Sequence, residues 1–181
     1  MSFQIETLHQ FEHDIFIVAR SMHQVQQYVN LIDIKDVTAF IIDENKEISE
    51  KNLQIPLIGL YSAFKELNDL GFKKTLALSC DAPLIKNKVI NYLIECSKKF
   101  DCCIPQWENG FLEPLCTIYP IQKALLSAKK NLKNKDYRLI NLINLSWNTN
   151  YISIEKCIQP IDKKLLSFIN INTLEDIEKL K

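Results

Sequence analysis

One stretch in the middle of the chain constrains the rest: Lys74-Thr75-Leu76-Ala77-Leu78-Ser79-Cys80-Asp81-Ala82-Pro83. Thr75 to Ser79 form a short apolar run after Gly71 and two lysines, and the run stops at Asp81. Pro83 cannot continue a ladder and pushes Ala82 out of helical geometry, so the chain turns there. The pattern predicts a buried strand that ends on a carboxylate. In open parallel sheets, ligands sit in the crevice outside the carboxyl ends of the strands. An Asp at that spot suits Mg²⁺, which takes one or two carboxylates together with substrate phosphate oxygens. It also suits a turn capped by its own side chain. The residues alone leave both readings open.

Two further apolar runs precede it. Asp14 to Arg20 is continuously apolar between its ends, which predicts a strand buried on both faces. Val37 to Ile42 predicts a second strand, and it too ends on an acid, Asp43. Helices are expected over residues 2–12, with Phe3, Leu8 and Phe11 on one face, and from the N-cap Ser21 to about Asn30. Pro56 opens another helix at the position it favours and Gly71 closes it, with Leu57, Leu60, Tyr61, Phe64 and Leu67 at helical spacing. A helix over 87–99 buries Val89, Leu93 and Cys96, with Ile90 and Ile94 beside them. Residues 44–54 have the composition of a surface loop.

Later, strands are expected at 101–105, 115–119 and 151–154, with a tight turn at Glu108-Asn109-Gly110. Residues 121–130 and 137–145 read as helices joined by a solvated link. Phe168 to Asn172 reads as a last strand, which would place Asn170 and Asn172 on one side. Thr173 and Asp176 form a variant capping box for a C-terminal helix. Strands alternating with helices predict an α/β fold, a mostly parallel sheet covered on both faces, in one domain over 1–181.

Composition narrows the function. Lys plus Arg and Asp plus Glu both total 22, so bulk electrostatics do not favour nucleic acid. No apolar run is long enough to cross a bilayer, and the first residues have no signal-peptide pattern. The six cysteines show no Cys-x-x-Cys spacing, and the three histidines complete no zinc pattern, which suits a reduced, cytoplasmic protein. Lys73, Lys74 and Lys86 read as solvated. Glycine is scarce: only Gly59, Gly71 and Gly110 occur, so the first 58 residues hold no glycine-rich phosphate loop.

Four ordered stretches carry a resemblance: Pro56-Leu57-Ile58-Gly59, Cys80-Asp81-Ala82-Pro83, Gly110 to Leu115, and Phe168 to Asp176. With them the chain resembles the MobA-like nucleotidyltransferases, and among these the molybdenum cofactor guanylyltransferases. The resemblance implies a Rossmann-like three-layer αβα sandwich that joins GMP from GTP to the molybdopterin cofactor, releases pyrophosphate and uses Mg²⁺. It implies that Asp81 binds the metal and the nucleotide and is the catalytic residue. It implies that Asp43, Pro56, Leu57 and Gly59 border the nucleotide, and that Asn170 and Asn172 face the pterin. Read locally, Asp43 also simply ends a strand, Pro56 with Gly59 also starts a helix, and Glu113-Pro114 also makes a turn.

Family members open with a strand, a glycine-rich loop holding an Arg, and a following Lys. Against that pattern the first strand and phosphate loop are missing here, an N-terminally truncated version of the domain. Its neighbours would then expose sheet edges, open to a partner chain or to self-association. Three readings follow: a guanylyltransferase, a non-catalytic remnant or partner subunit that binds pterin or nucleotide without turnover, or a transferase for another nucleotide and acceptor.

Overall fold

The computed structural model describes residues 2–43, 55–171, 173 and 176. The expected loop at 44–54, Asn172 and the C-terminal helix beyond Asp176 lie outside the described residues. In chain order the elements are α1 (Ser2–His9), β1 (Phe16–Ala19), α2 (Met22–Leu31), β2 (Ala39–Ile42), α3 (Pro56–Asp69) and β3 (Lys74–Leu78). They continue with α4 (Asn87–Ser97), β4 (Cys102–Gln106), β5 (Cys116–Pro120), α5 (Ile121–Lys133) and β6 (Thr149–Ser153). No described helix is long and apolar enough to cross a membrane.

The strands form two sheets, β1-β2 and β3-β5-β4-β6. β1 and β2 are parallel, as are β4 and β6, but β5 runs antiparallel to both its neighbours. The sheet is therefore mixed, which corrects the expectation of a mostly parallel one. The cause is the short link between β4 and β5. A parallel neighbour needs a crossover of about a dozen residues or more. Here the chain reverses at Gly110, whose φ of 88° suits glycine. The reversal is closed by Gly110 N–H donating to the Trp107 carbonyl (2.8 Å) and Trp107 N–H to that of Phe111 (2.8 Å). α5 then carries the chain back, and β6 runs parallel to β4.

α3 is the helix common to both sheets. Pro56 occupies its first turn, and Gly71 (φ 85°) ends it. Phe72 N–H donates to Leu67 O (2.9 Å) and Gly71 N–H to Asn68 O (3.0 Å), the paired bonds of a Schellman ending. Leu57, Leu60, Tyr61 and Phe64 pack with Tyr119 and Trp147, with Ala77 of β3 against them. Further along, Ala63 and Leu67 pack with Ile41 of β2, and with Phe16 and Phe72. The other face of the larger sheet is covered by Val89, Ile90 and Leu93 of α4, with Leu8 and Phe11 from the N-terminal region. The buried thiols behave as small hydrophobes: burial pushes Cys103 up to about 11, and Cys102 and Cys116 up to about 12.

Several expectations change in detail. α1 ends at His9; it buries Gln4 and Ile5, whereas Phe3 is exposed. β1 is not buried on both faces, because Val18 is exposed. Residues 137–145 form only a 3₁₀ turn over Leu139–Leu142. The link before it is not fully solvated, since Asn131 is buried and its amide donates to Asn141 O (2.9 Å). Phe168 to Ile171 joins no ladder among the described residues; a 3₁₀ turn covers Leu166–Phe168 instead. Lys74 is no idle surface lysine: its ammonium donates to the carbonyls of Ser97 and Phe100, fastening the end of α4. The Thr173 and Asp176 pair does form, with reciprocal bonds of 2.9 and 3.2 Å.

Phe64 is fully buried and meets Tyr119 edge-on at 5.4 Å between ring centroids. Phe64→Ala is expected to cost about 3–5 kcal/mol, the range for truncating a core aromatic, measured by urea unfolding. A loss under about 1 kcal/mol would show that α3 is not the common support.

Candidate functional site

The carboxyl end of β3 is anchored from both ends of the chain. The ladder finishes with Ser79 N–H donating to Leu115 O (2.9 Å), and Ala82 N–H donates to Ser79 O (3.4 Å) to close the turn. From one side, the buried Gln4 amide of α1 donates to Ser79 O (2.6 Å) and Ala82 O (2.9 Å). From the C-terminal side, Ile171 N–H donates to the Asp81 carbonyl (2.7 Å). The backbone around Asp81 is thus held without use of its carboxylate. Asp81 Oδ1 is buried with no hydrogen-bond partner among the described residues.

The segment that reaches Asp81 is fixed by its own contacts. Asp162, itself buried, accepts from Ser167 N–H through Oδ2 (2.8 Å). Ser167 Oγ accepts from Lys86 N–H at the start of α4 (3.0 Å). Phe168 then meets Trp107 edge-on (5.7 Å), and Trp107 Nε1–H donates to Glu113 Oε1 (2.6 Å). Asn170 follows, exposed and one residue before the Ile171 contact. Asp81, the Gly110–Leu115 stretch and Asn170 are therefore brought together, by a loop and not by the strand expected from alternation.

Asp43 ends β2, with its N–H donating to Ala19 O (2.8 Å). Its Oδ1 is also buried without a partner among the described residues. A side chain at Gly59 would place Cβ 3.3 Å from Asp43 Oδ1 and 3.4 Å from Val18 Cγ1, so glycine allows α3 this close to the carboxylate. Leu57 is fully buried in the core and Pro56 is exposed at the helix start, which leaves Gly59 as the residue of that stretch against Asp43. Burial pushes the Asp43 carboxyl up, and the Arg20 guanidinium partly holds it down.

Arg20 follows β1 as Asp43 follows β2. It also bears on Tyr28, which stacks on Phe40 at 6.5 Å. Burial raises the Tyr28 phenol, the nearby Cys80 adds to this, and Arg20 opposes it. Tyr28 thus lies near both Arg20, which follows β1, and Cys80, which precedes Asp81. Sequence reasoning missed Gln4, Arg20 and Trp107. Only Arg20 carried a signal, a charge immediately after an apolar run; the Gln4 bond spans 75 positions and left none.

Two carboxylate oxygens without partners among the described residues, each just past a strand's carboxyl end, can accept a cation or the donors of a ligand. No group of three His, Cys, Asp or Glu side chains among the described residues could hold a metal ion. A site with a hard cation here would rest on one or two carboxylates and on ligand oxygens.

Comparison with known proteins gives this rim a context. The MobA-like NTP transferase domain model matches residues 1–145. The chain is similar to a probable molybdenum cofactor guanylyltransferase of Thermococcus sibiricus, 28% identical over 171 residues, covering 88% of this chain and 83% of the relative. A protein of the same description from Pyrococcus horikoshii is 35% identical over 137 residues, covering 72% of this chain and 65% of the relative. Among solved structures, molybdopterin-guanine dinucleotide biosynthesis protein A of Archaeoglobus fulgidus shares the fold, with a TM-score of 0.71 and 24% identity over 98% of this chain and 80% of that one. A 4-diphosphocytidyl-2C-methyl-D-erythritol synthase of Anaerococcus prevotii also shares it, with a TM-score of 0.66 at 11% identity over 98% and 82%.

Asp43 allows a test of its burial. Because its folded pKa lies above the usual 3.8, the charged form opposes folding. That penalty is absent below about pH 3.8 and grows as pH rises through the folded pKa. Asp43→Asn is therefore expected to be more stable than the parent at pH 7, with the gain vanishing as pH falls towards 3.8. Thermal melts across that range check it, and a variant less stable at pH 7 would contradict it.

Proposed function

Because the chain belongs to the MobA-like NTP transferase family, we propose that it acts as a guanylyltransferase, joining GMP from GTP to the molybdopterin cofactor. The observation that supports this most is Asp81: a carboxylate oxygen without a partner, on a turn to which the Asn170–Ile171 segment is hydrogen-bonded. Nucleotide and acceptor would meet there, the acceptor against Asn170 and Asn172, and the nucleotide against Asp43 and the Pro56–Gly59 helix start.

The reaction needs no protein nucleophile. A phosphate oxygen of the acceptor forms a bond to the α-phosphorus of GTP. The bond from that phosphorus to the bridging oxygen breaks, and pyrophosphate leaves with the electron pair. Catalysis of this kind rests on positioning and on neutralising charge. Asp81 is the residue that would hold Mg²⁺, whose charge offsets that of the phosphate oxygens. Gln4 and Ile171 keep the Asp81 backbone in place, so the carboxylate needs no reorganisation to receive its ligand. Asp43 and Arg20 set the charge on the nucleotide side.

The alternative reading is binding of nucleotide or pterin without turnover; residues 1–58 themselves hold no glycine-rich cradle for the triphosphate, since none of the three glycines precedes Gly59.

Calorimetry with GTP, with and without Mg²⁺, tests the assignment. Asp81→Ala is expected to weaken binding at least about tenfold, or about 1.4 kcal/mol, and only when Mg²⁺ is present. Equal affinity for parent and variant would contradict the role of Asp81. Pyrophosphate release on adding molybdopterin then separates the readings: release supports the transferase, and binding without release supports the second.

A further inference from the structure

A cleft of about 640 Å³ lies between α1, the start of α4 and the segment 161–166. Hydrogen bonds between distant parts of the chain fix its walls. The Gln4 amide fastens α1 to the carbonyls of Ser79 and Ala82, and the chain leads from there into the wall residues Pro83 and Leu84. Lys86 N–H donates to Ser167 Oγ (3.0 Å), and Ser167 N–H donates to the buried Asp162 carboxylate (2.8 Å). The start of α4 is thereby tied to the 161–166 wall. A ligand would find the cleft already shaped, without the cost of ordering it.

Charge is concentrated there. Over the whole chain basic and acidic residues balance at 22 each. Around this cleft stand Lys86 and Lys88 on one wall and Lys163 and Lys164 on another, all exposed, against two acids, Glu6 and Asp162. Asp162 is buried and engaged by Ser167, and no carboxylate among the described residues forms a salt bridge with any of the four lysines. Four ammonium groups around one concavity repel each other and attract anions. The lining between them is largely apolar. Leu84, Ile161 and Leu166 are half-buried, and Phe3 is exposed because Gln4 and Ile5 occupy the buried side of α1. Covering these side chains would remove apolar surface from water.

We infer that this cleft docks an acidic segment of a partner protein, anchored by an apolar side chain. Charge complementarity and the apolar lining together define the occupant. Carboxylates flanking an apolar residue meet the lysines on both walls while the residue between them covers Leu84, Ile161, Leu166 and Phe3. A small free anion would satisfy the lysines but leave the apolar lining in water. A single nucleic-acid strand brings phosphates, but such grooves hold successive bases on aromatic side chains. Phe3 is the one aromatic residue lining the cleft among the described residues. An anionic bilayer is too broad to enter a concavity with lysines on separate walls. Neither Asp81 nor Asn170 lines the cleft, and the inference is independent of the proposed reaction.

The test is fluorescence anisotropy on the full chain with a short labelled peptide, Asp and Glu residues around a central Leu-Phe pair. Saturable binding is expected. It should weaken at least about tenfold in Lys88→Glu, in the double variant Lys163→Glu with Lys164→Glu, and when Ser-Ser replaces Leu-Phe in the peptide. These lysines are exposed, and an acid at position 88 sits in the first turn of α4, where it favours the helix, so both variants should melt like the parent. Absence of saturable binding, full affinity in either variant, or full affinity of the Ser-Ser peptide would each overturn the inference. So would displacement of the peptide by an equal concentration of GTP, tighter binding of oligodeoxythymidine or of anionic vesicles, or a signal that follows self-association of the chain in light scattering.

Discussion

The structure depends most on how the turn after β3 is held. A strand that leads into the turn at Asp81 would fray unless the carbonyls there found donors, since unpaired backbone groups near a core are costly. Gln4 supplies two donors from α1, and Ile171 supplies one from the far end of the chain. Residues 4, 81 and 171 are thereby drawn to one point. The side chain of Asp81 is not used in this fastening, and its Oδ1 stays buried without a hydrogen-bond partner among the described residues. Structure and chemistry are divided between the backbone and the side chain of one residue.

The same division recurs at Asp43. Its backbone N–H completes the ladder to Ala19, while its Oδ1 stays without a described partner under Gly59. α3 makes this possible by packing on both sheets, through Ala77 on one and Ile41 on the other. It joins two rims that share no ladder.

Much of this was legible in the residues, for local reasons. Continuous apolar runs fixed the strands, and Ser21, Pro56 and Gly71 fixed helix ends because their backbone or side-chain chemistry is specific to those positions. The direction of β5 was less visible, because it follows from the length of the link through Gly110 and not from the strand itself. The strand expected to carry Asn170 does not form among the described residues. Alternation along a strand does not hold there; Asp162, Ser167 and Phe168 lay the loop against α4 and Trp107. Gln4 left no trace, since a glutamine in a helix reads as solvated until the fold brings a carbonyl 75 positions away within reach.

The proposed activity requires that Asp81 and the Asn170–Ile171 segment form one ligand site. Paramagnetic broadening of backbone amide signals by Mn²⁺ with GTP measures this by distance from the ion. The account predicts that the amides of Asp81, Ala82 and Ile171 broaden together and first, with that of Asp43 next. Broadening confined to other surfaces, such as the lysine-lined cleft between α1 and Lys163, while these amides stay sharp, would contradict it.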